Sequence, residues 1–293
     1  MRIPLVIPLF KRFALYEKGL QPKTIREILS ITIVLSNELS NPTIKSISTA
    51  KIREFLHQKK QERMWSNKTF RNKRQYLKTF FDYCIREDFV KINPVEKIEK
   101  PKIPKRLPRC LNKKQLDTVL MYLDAHKWFN TLEEKRNKAI IRTFLFTGIR
   151  LNELLKLKTT SINFEESEII IYEGKGNKDR IVPIHPNLMP YLKSYRDIKK
   201  GKPTTYFFSS IRSNSALTEH NLYRIIKILR KIAGIYFSPH MLRHTFGKLS
   251  IEANLNPFKL KAIMGHSDIQ TTQIYISVSH QNIKESFQKL ELI

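Results

Sequence analysis

Six side chains in this 293-residue chain have the types that a phosphoryl transfer from a diester requires: Arg150, Lys175, His240, Arg243, His266 and Tyr275. A guanidinium is a planar fork of donors that can hold both non-bridging oxygens and follow the charge that grows in a pentacoordinate transition state. Two arginines therefore suit a doubly esterified phosphate. Tyrosine is a poor nucleophile at neutral pH, with an ordinary pKa of about 10, so Tyr275 needs cations close by and a base. Either His240 or His266 is a candidate to accept its proton. The leaving oxygen needs a proton in return, and Lys175 is the candidate donor. Glu153, one helical turn after Arg150, is expected to orient that guanidinium.

Other readings of the same residues narrow the set. His244 stands four residues after His240, the spacing of a metal pair, but no acidic third ligand is spaced to match, so no metal is expected. Cys84 and Cys110 have no metal-ligand spacing and read as ordinary thiols of a cytoplasmic protein. Lys178 competes with Lys175 for the acid role and fits better as a phosphate contact. A core tyrosine is the alternative for Tyr275, and the polar run SDIQTTQ before it argues for access to solvent instead.

Composition says what kind of substrate carries the phosphate. Lys and Arg number 54 against 26 Asp and Glu, a formal charge of +28, and such self-repulsion is usually retained when the partner is a polyanion. The excess runs along the whole chain and forms no low-complexity tail, so both halves are expected to touch the same polyanion; a basic surface that only aids binding to ribosomes or membranes is the alternative. No apolar run approaches the roughly 18 residues of a membrane span, and the opening MRIPLVIPLFKR, with two prolines, is too short for a signal peptide. No membrane partner is expected.

The elements that must position these residues divide into two groups. Residues 1–94 show helical periodicity near 9–17, 24–39, 49–62 and 67–86, a bundle in which Arg71, Lys73, Arg74 and Lys78 on the fourth helix are either phosphate contacts or a solvated face. Residues 95–109 are rich in proline and basic side chains and lack amphipathic period, which reads as an extended linker. Lys102, Lys105 and Arg106 on it would lie along a DNA backbone in a clamp of two basic domains; a plain surface linker is the alternative. From 110 to 293 the pattern is helical again, broken by two β-branched runs, 169–172 and 180–184, that flank a Gly-rich tip. That is a hairpin presenting Lys175 and Lys178. A further strand is expected at 205–209. Ser238-Pro239 and Asn256-Pro257 each supply an N-cap followed by proline at the first helical position, and Gly265 closes the second of these helices. The fold class expected is mainly α with a small antiparallel sheet, in two domains.

Four stretches, TGIRLNELLKL, GKGNKDRIVPI, SPHMLRHTFG and IMGHSDIQTTQIY, resemble in order the motif regions of the tyrosine recombinase (phage integrase) family, most closely its Xer-like branch. The likeness runs through most of residues 110–285, and residues 1–94 resemble the family's core-binding domain in size and pattern. The resemblance implies Arg150 and Arg243 as transition-state clamps, Lys175 as general acid, His240 and His266 as proton-handling or hydrogen-bonding partners and Tyr275 as nucleophile. It implies a site-specific recombinase that forms a 3′-phosphotyrosyl link with a free 5′-hydroxyl, needs neither ATP nor metal, and works as a tetramer on two duplexes. A partner recombinase or activator leaves no trace in the sequence. Strand relaxation of the type IB topoisomerase kind, or a silent DNA-binding regulator, are the alternatives. FGKLSIEANL, where relatives carry small residues near Gly247, and Ile276-Ser277 after the tyrosine depart from the family pattern. The tail 282–293 reads as a helix bearing Phe287, Leu290 and Ile293, docked on a neighbouring protomer or on its own domain.

Overall fold

The computed structural model describes residues 1–104, 107–172, 179–199, 204–210, 215–266 and 268–278. Lys105, Arg106, Lys175, Lys178 and the expected terminal helix lie outside the described residues. The chain divides into two compact units, Met1–Lys105 and Arg106–Ile293.

In the first unit the helices are α1 (Ile3–Arg12), α2 (Pro22–Glu38), α3 (Thr49–Glu62) and α4 (Asn67–Arg86). α1 begins well before the expected Leu9, because Pro4 falls in its first turn, where the backbone N–H has no helical partner to lose. Ile3, Val6 and Phe10 then share the buried face. Pro22 opens α2, and the hydroxyls of Ser48 and Ser66 cap α3 and α4 by accepting the N–H of Lys51 and Thr69. Phe10 meets Phe80 and Tyr83 edge-on, with ring centroids 5.5 Å apart, at the centre of the bundle.

Two expectations for this unit need correction. Arg74 is not a surface cation: it is 3% exposed, and its guanidinium donates to the carbonyls of Ile98, Val95 and Glu96. The segment it holds was expected to start the linker, yet Val95 and Ile98 are buried in the unit's core at 0% and 3% exposure. Apolar side chains inside a proline-rich stretch outweighed its extended character, and burying them required partners for their carbonyls, which Arg74 supplies. Lys73 and Lys78 pair with Glu27 and Asp82 at 2.8 and 3.0 Å. Arg71 and Lys102 are exposed.

The second unit is built around α6 (Thr131–Thr147), whose neighbours include α8 (Met189–Lys199) and α10 (Pro239–Glu252). Ile140, Ile141, Phe144 and Leu145 are buried together with Thr143 and Thr147, so α6 is enclosed on most of its circumference. α5 (Lys113–Ala125) carries a capping box between Asn112 and Gln115 and packs on α9 (Glu219–Ala233). α6 ends on Gly148 at φ 58°, and α7 (Leu151–Leu155) starts directly after Arg150. The left-handed backbone favours glycine there, and a Cβ at this position would overlap the Phe246 ring.

The sheet runs in the order β1 (Ile162–Asn163), β2 (Glu168–Ile171) and β3 (Arg180–Pro183), all antiparallel, with Ile169 opposite Val182 and Ile171 opposite Arg180. β1 was not anticipated, being only two residues long. The strand expected at 205–209 is replaced by isolated bridges, Lys158 with Tyr206 and Ser209 with Ala216. Phe207 and Phe208 are buried against Tyr195, so their apolar character reflects packing on α8. α11 (Pro257–Met264) and α12 (Gln270–Val278) complete the described unit. Among the described residues no helix is long and apolar enough to cross a membrane.

Candidate active site

The site forms where the end of α6, the head of α10 and the end of α11 meet. Ser238 caps α10 by accepting the N–H of Met241, and Pro239 fixes the first turn. That start sets Arg243 inward at 5% exposure. One guanidinium nitrogen of Arg243 donates to the Gly148 carbonyl and the other to the Met264 carbonyl, at 2.8 Å for the second. Both carbonyls belong to glycine-marked helix ends, where intrahelical partners run out. Burial pulls the Arg243 pKa down to about 10, helped by the charge of Arg150, and the group stays protonated at neutral pH.

Arg150 approaches the same place from the start of α7. Its Nη2 donates to the Gly265 carbonyl, one residue beyond the carbonyl that holds Arg243. Its Nη1 donates to Glu153 Oε1 at 2.8 Å, and its backbone N–H donates to Glu153 Oε2 at 2.9 Å. Glu153 thus caps its own helix and orients the guanidinium, as the spacing suggested. Burial by itself would raise the Glu153 pKa; hydrogen bonds and charge from Arg180, and then bonds from Arg150, outweigh it and hold the carboxyl at about 2.

Tyr275 is 1% exposed and packs with Ile251, Leu260 and Met264. Its ring lies over Gly247, where an added Cβ would come within 2.6 to 2.8 Å of ring carbons. Gly247 is therefore the floor of the tyrosine's slot, even though the residues around it depart from the family's small-residue pattern. The phenol hydroxyl meets His244 Nδ1 at 2.9 Å. His266 stands beside the ring in a near-parallel orientation, centroids 6.2 Å apart, and its Nδ1 meets Thr272 Oγ1 at 2.9 Å. Burial drives the Tyr275 pKa up to about 12, against the opposing pull of Arg243 and Arg150. Burial also lowers both imidazoles to about 4, with His240 and Arg243 adding to it at His244, and Arg243 and Arg150 at His266. Both rings are neutral at pH 7.

The structure thus brings Arg150, Glu153, Arg243, His266 and Tyr275 into one cluster. His240 is exposed at the head of α10, one turn before His244, and the partner of the phenol in this structure is His244 in place of the two histidines considered for it. Tyr275 is buried despite the polar run before it, because Thr272 and Tyr275 share one face of α12 and both are enclosed, at 0% and 1% exposure. Arg180 was missed altogether. It donates from Nη1 and Nη2 to the two oxygens of Glu153, at 2.9 and 2.7 Å, and from Nε to the Ile263 carbonyl at 2.9 Å. Its position at the first residue of β3, opposite Ile171, gave no hint of that partner.

Paired guanidinium groups, neutral imidazoles and a tyrosine within a helical fold form a cluster with the chemistry to hold and attack a phosphodiester. The family model of the phage integrase family matches residues 109–282. Tyrosine recombinase XerA of Pyrococcus horikoshii is 32% identical over 200 residues, covering 68% of this chain and 67% of that protein. A tyrosine recombinase of Agathobacter rectalis is 31% identical over 290 residues, covering 94% and 92%. The fold is similar to that of the XerH site-specific recombinase in a post-cleavage complex with a palindromic difH substrate, with a TM-score of 0.75 at 25% identity over 92% of this chain and 80% of that one. A lambda integrase dimer bound to a COC′ core site shares the fold at a TM-score of 0.74 and 16% identity, over 94% and 95% of the chains. The chain belongs to the phage integrase family, in its Xer-like branch, and is a site-specific tyrosine recombinase acting on DNA.

Proposed function

We propose that Arg150 and Arg243 clamp the scissile phosphate, that Tyr275 attacks it to leave a 3′-phosphotyrosyl link and a free 5′-hydroxyl, and that Lys175 protonates the departing oxygen. The observation that carries this reading is the convergence of the two guanidiniums on consecutive carbonyls, Met264 and Gly265, immediately before His266 and beside Tyr275. In its slot the tyrosine is inert, since removing a proton at pH 7 from a phenol with a pKa of about 12 costs about 7 kcal/mol. Attack requires the hydroxyl to part from His244 and approach the clamped phosphate, where two cations favour the phenolate and the exposed His240 takes up the phenol proton. His266 donates a hydrogen bond to a phosphate oxygen, and exposed His240 contacts the same group from the head of α10.

Around that chemistry the enzyme works as a tetramer on two duplexes, with Arg71, Lys102, Lys105, Arg106 and Lys178 on phosphates and the first unit, Met1–Lys105, as a DNA-binding domain. Supporting this are the formal charge of +28 and relatives solved on DNA, one of them as a dimer on its core site. The two unbridged cysteines suit the cytoplasm. Whether the event is integration, excision or dimer resolution is set by the target, as is any need for a second recombinase or an activator. The test is covalent capture: the protein is incubated with a randomised pool of nicked duplexes and adducts are separated under denaturing conditions and sequenced. Wild type should enrich one site and Tyr275→Phe should give no adduct; a wild type that forms none on any duplex ends the reading.

A further inference from the structure

Glu153 is shared between two arginines, and the division is unequal. Arg180 grips it fork to fork, one N–H on each oxygen, while Arg150 contributes one side-chain N–H and its backbone N–H. Bidentate pairing is the stronger arrangement, so Arg180 takes up most of the carboxylate's charge. Two guanidiniums against one carboxylate leave a surplus positive charge, and Arg150 carries it. Only two of the five N–H groups of the Arg150 guanidinium are used by Glu153 and Gly265.

Arg180 also reaches the other wall of the site. Its Nε donates to the Ile263 carbonyl, and its side chain runs so close beneath Gly265 that a Cβ there would lie 2.9 Å from Cδ and Nη1. Gly265, at φ 66°, supplies the carbonyl that Arg150 grips. Arg180 therefore braces the start of α7, the end of α11 and the base of β3 at once. Its own side chain is 10% exposed and that of Glu153 is 8% exposed, against 22% for Arg150, so solvent and substrate reach Arg150 and not the brace.

We propose that Arg180 is a positioning residue for cleavage: by occupying Glu153 it keeps Arg150 from folding into a bidentate pair with that carboxylate and leaves its charge for the phosphate. Without Arg180 the nearest cation to Glu153 is Arg150, and a buried carboxylate left half-satisfied draws it in. The proposal rests on the clamp role given to Arg150 above.

The test measures single-turnover cleavage at saturating duplex, using the site recovered by covalent capture. Arg180→Met should cleave about 100-fold more slowly than wild type, the range seen when a group that orients a catalytic residue is lost, while DNA affinity changes less than about threefold. Replacing the scissile phosphate with a neutral methylphosphonate should shrink that deficit to under about tenfold, because an uncharged centre makes little use of the surplus charge. The double variant Arg180→Met/Glu153→Gln should recover part of the lost rate, since the competing carboxylate is gone. Arg180→Lys, which keeps the charge but not the fork, should lose about tenfold and serves if methionine prevents folding. Equal deficits on both substrates without recovery in the double variant, or wild-type rates in Arg180→Met, overturn the proposal. A wild type that forms no adduct overturns the clamp reading itself, and the two failures are distinct.

Discussion

Arg74 in the first unit and Arg243 in the second are both buried arginines, 3% and 5% exposed, and both commit their donors to backbone carbonyls. Their surroundings differ in balance. Burial opposes the charge of both, and Glu96 supports Arg74 with no cation among the described residues set against it, whereas at Arg243 the charges of Arg150 and Arg180 oppose what Tyr275 and Glu153 support. An arginine that ties down a segment next to an acid is explained by the fold alone. Two like charges held close together, one buried and one reached by solvent, are less simply explained by the fold, and the surplus is what the proposed phosphate clamp would use.

Exchanging each arginine for methionine breaks the comparison most directly. Arg243→Met should lower cleavage about a thousandfold, as expected when a charged transition-state contact is lost, with less effect on the melting temperature than the matching change at Arg74. Arg74→Met leaves three carbonyls unpaired and should destabilise the first unit by about 3 kcal/mol in denaturant titrations, with cleavage by the folded protein close to normal at saturating DNA. An Arg74 variant that folds normally and cleaves poorly would erase the distinction.

Acid sharpens it. His244 and His266 titrate near 4 in the folded protein, against an ordinary value of 6.5 when exposed to water, so the unfolded chain binds more protons between those values. Stability contributed by the neutral rings is complete above pH 6.5 and drains as pH falls toward 4, by at most about 3 kcal/mol for each ring. Glu153, held at about 2 against an ordinary 4.5, keeps its contribution down to about pH 4.5 and loses it as pH falls from there toward 2. Thermal melts from about pH 7.5 to 4.5 should show a loss that shrinks in His244→Gln; an unchanged slope there would count against the burial of that ring.

The smallest expected effect is at the slot. Gly247→Ala pushes a methyl into the Tyr275 ring and should cost about 1 to 3 kcal/mol while exposing the phenol. Ultraviolet titration would then move one tyrosine from about 12 toward its ordinary 10. A variant with an unshifted titration would mean that the ring does not depend on that floor.

How much of this could be read in advance follows the range of each interaction. Arg150 with Glu153, the Ser-Pro and Asn-Pro helix starts and the glycine stops at 148 and 265 join residues a few positions apart, and their chemistry is written locally. The sheet of β2 and β3 was likewise visible in its β-branched runs, while β1 was too short to leave a pattern. The order of the motif stretches pointed to the family before any coordinate did.

What the sequence determined by itself, then, was the helix ends and the candidate side chains placed on them, because capping, proline placement and left-handed glycines act within one turn of the chain. Tertiary structure alone decided which of these groups touch. Arg180 reaches a carboxylate 27 residues away, His244 a phenol 31 residues away, Arg243 a carbonyl 95 residues away, and Arg74 a segment that looked like linker. Burial, which sets the Tyr275 phenol near 12 and both imidazoles near 4, is a property of the packed molecule and has no signature in the order of its residues.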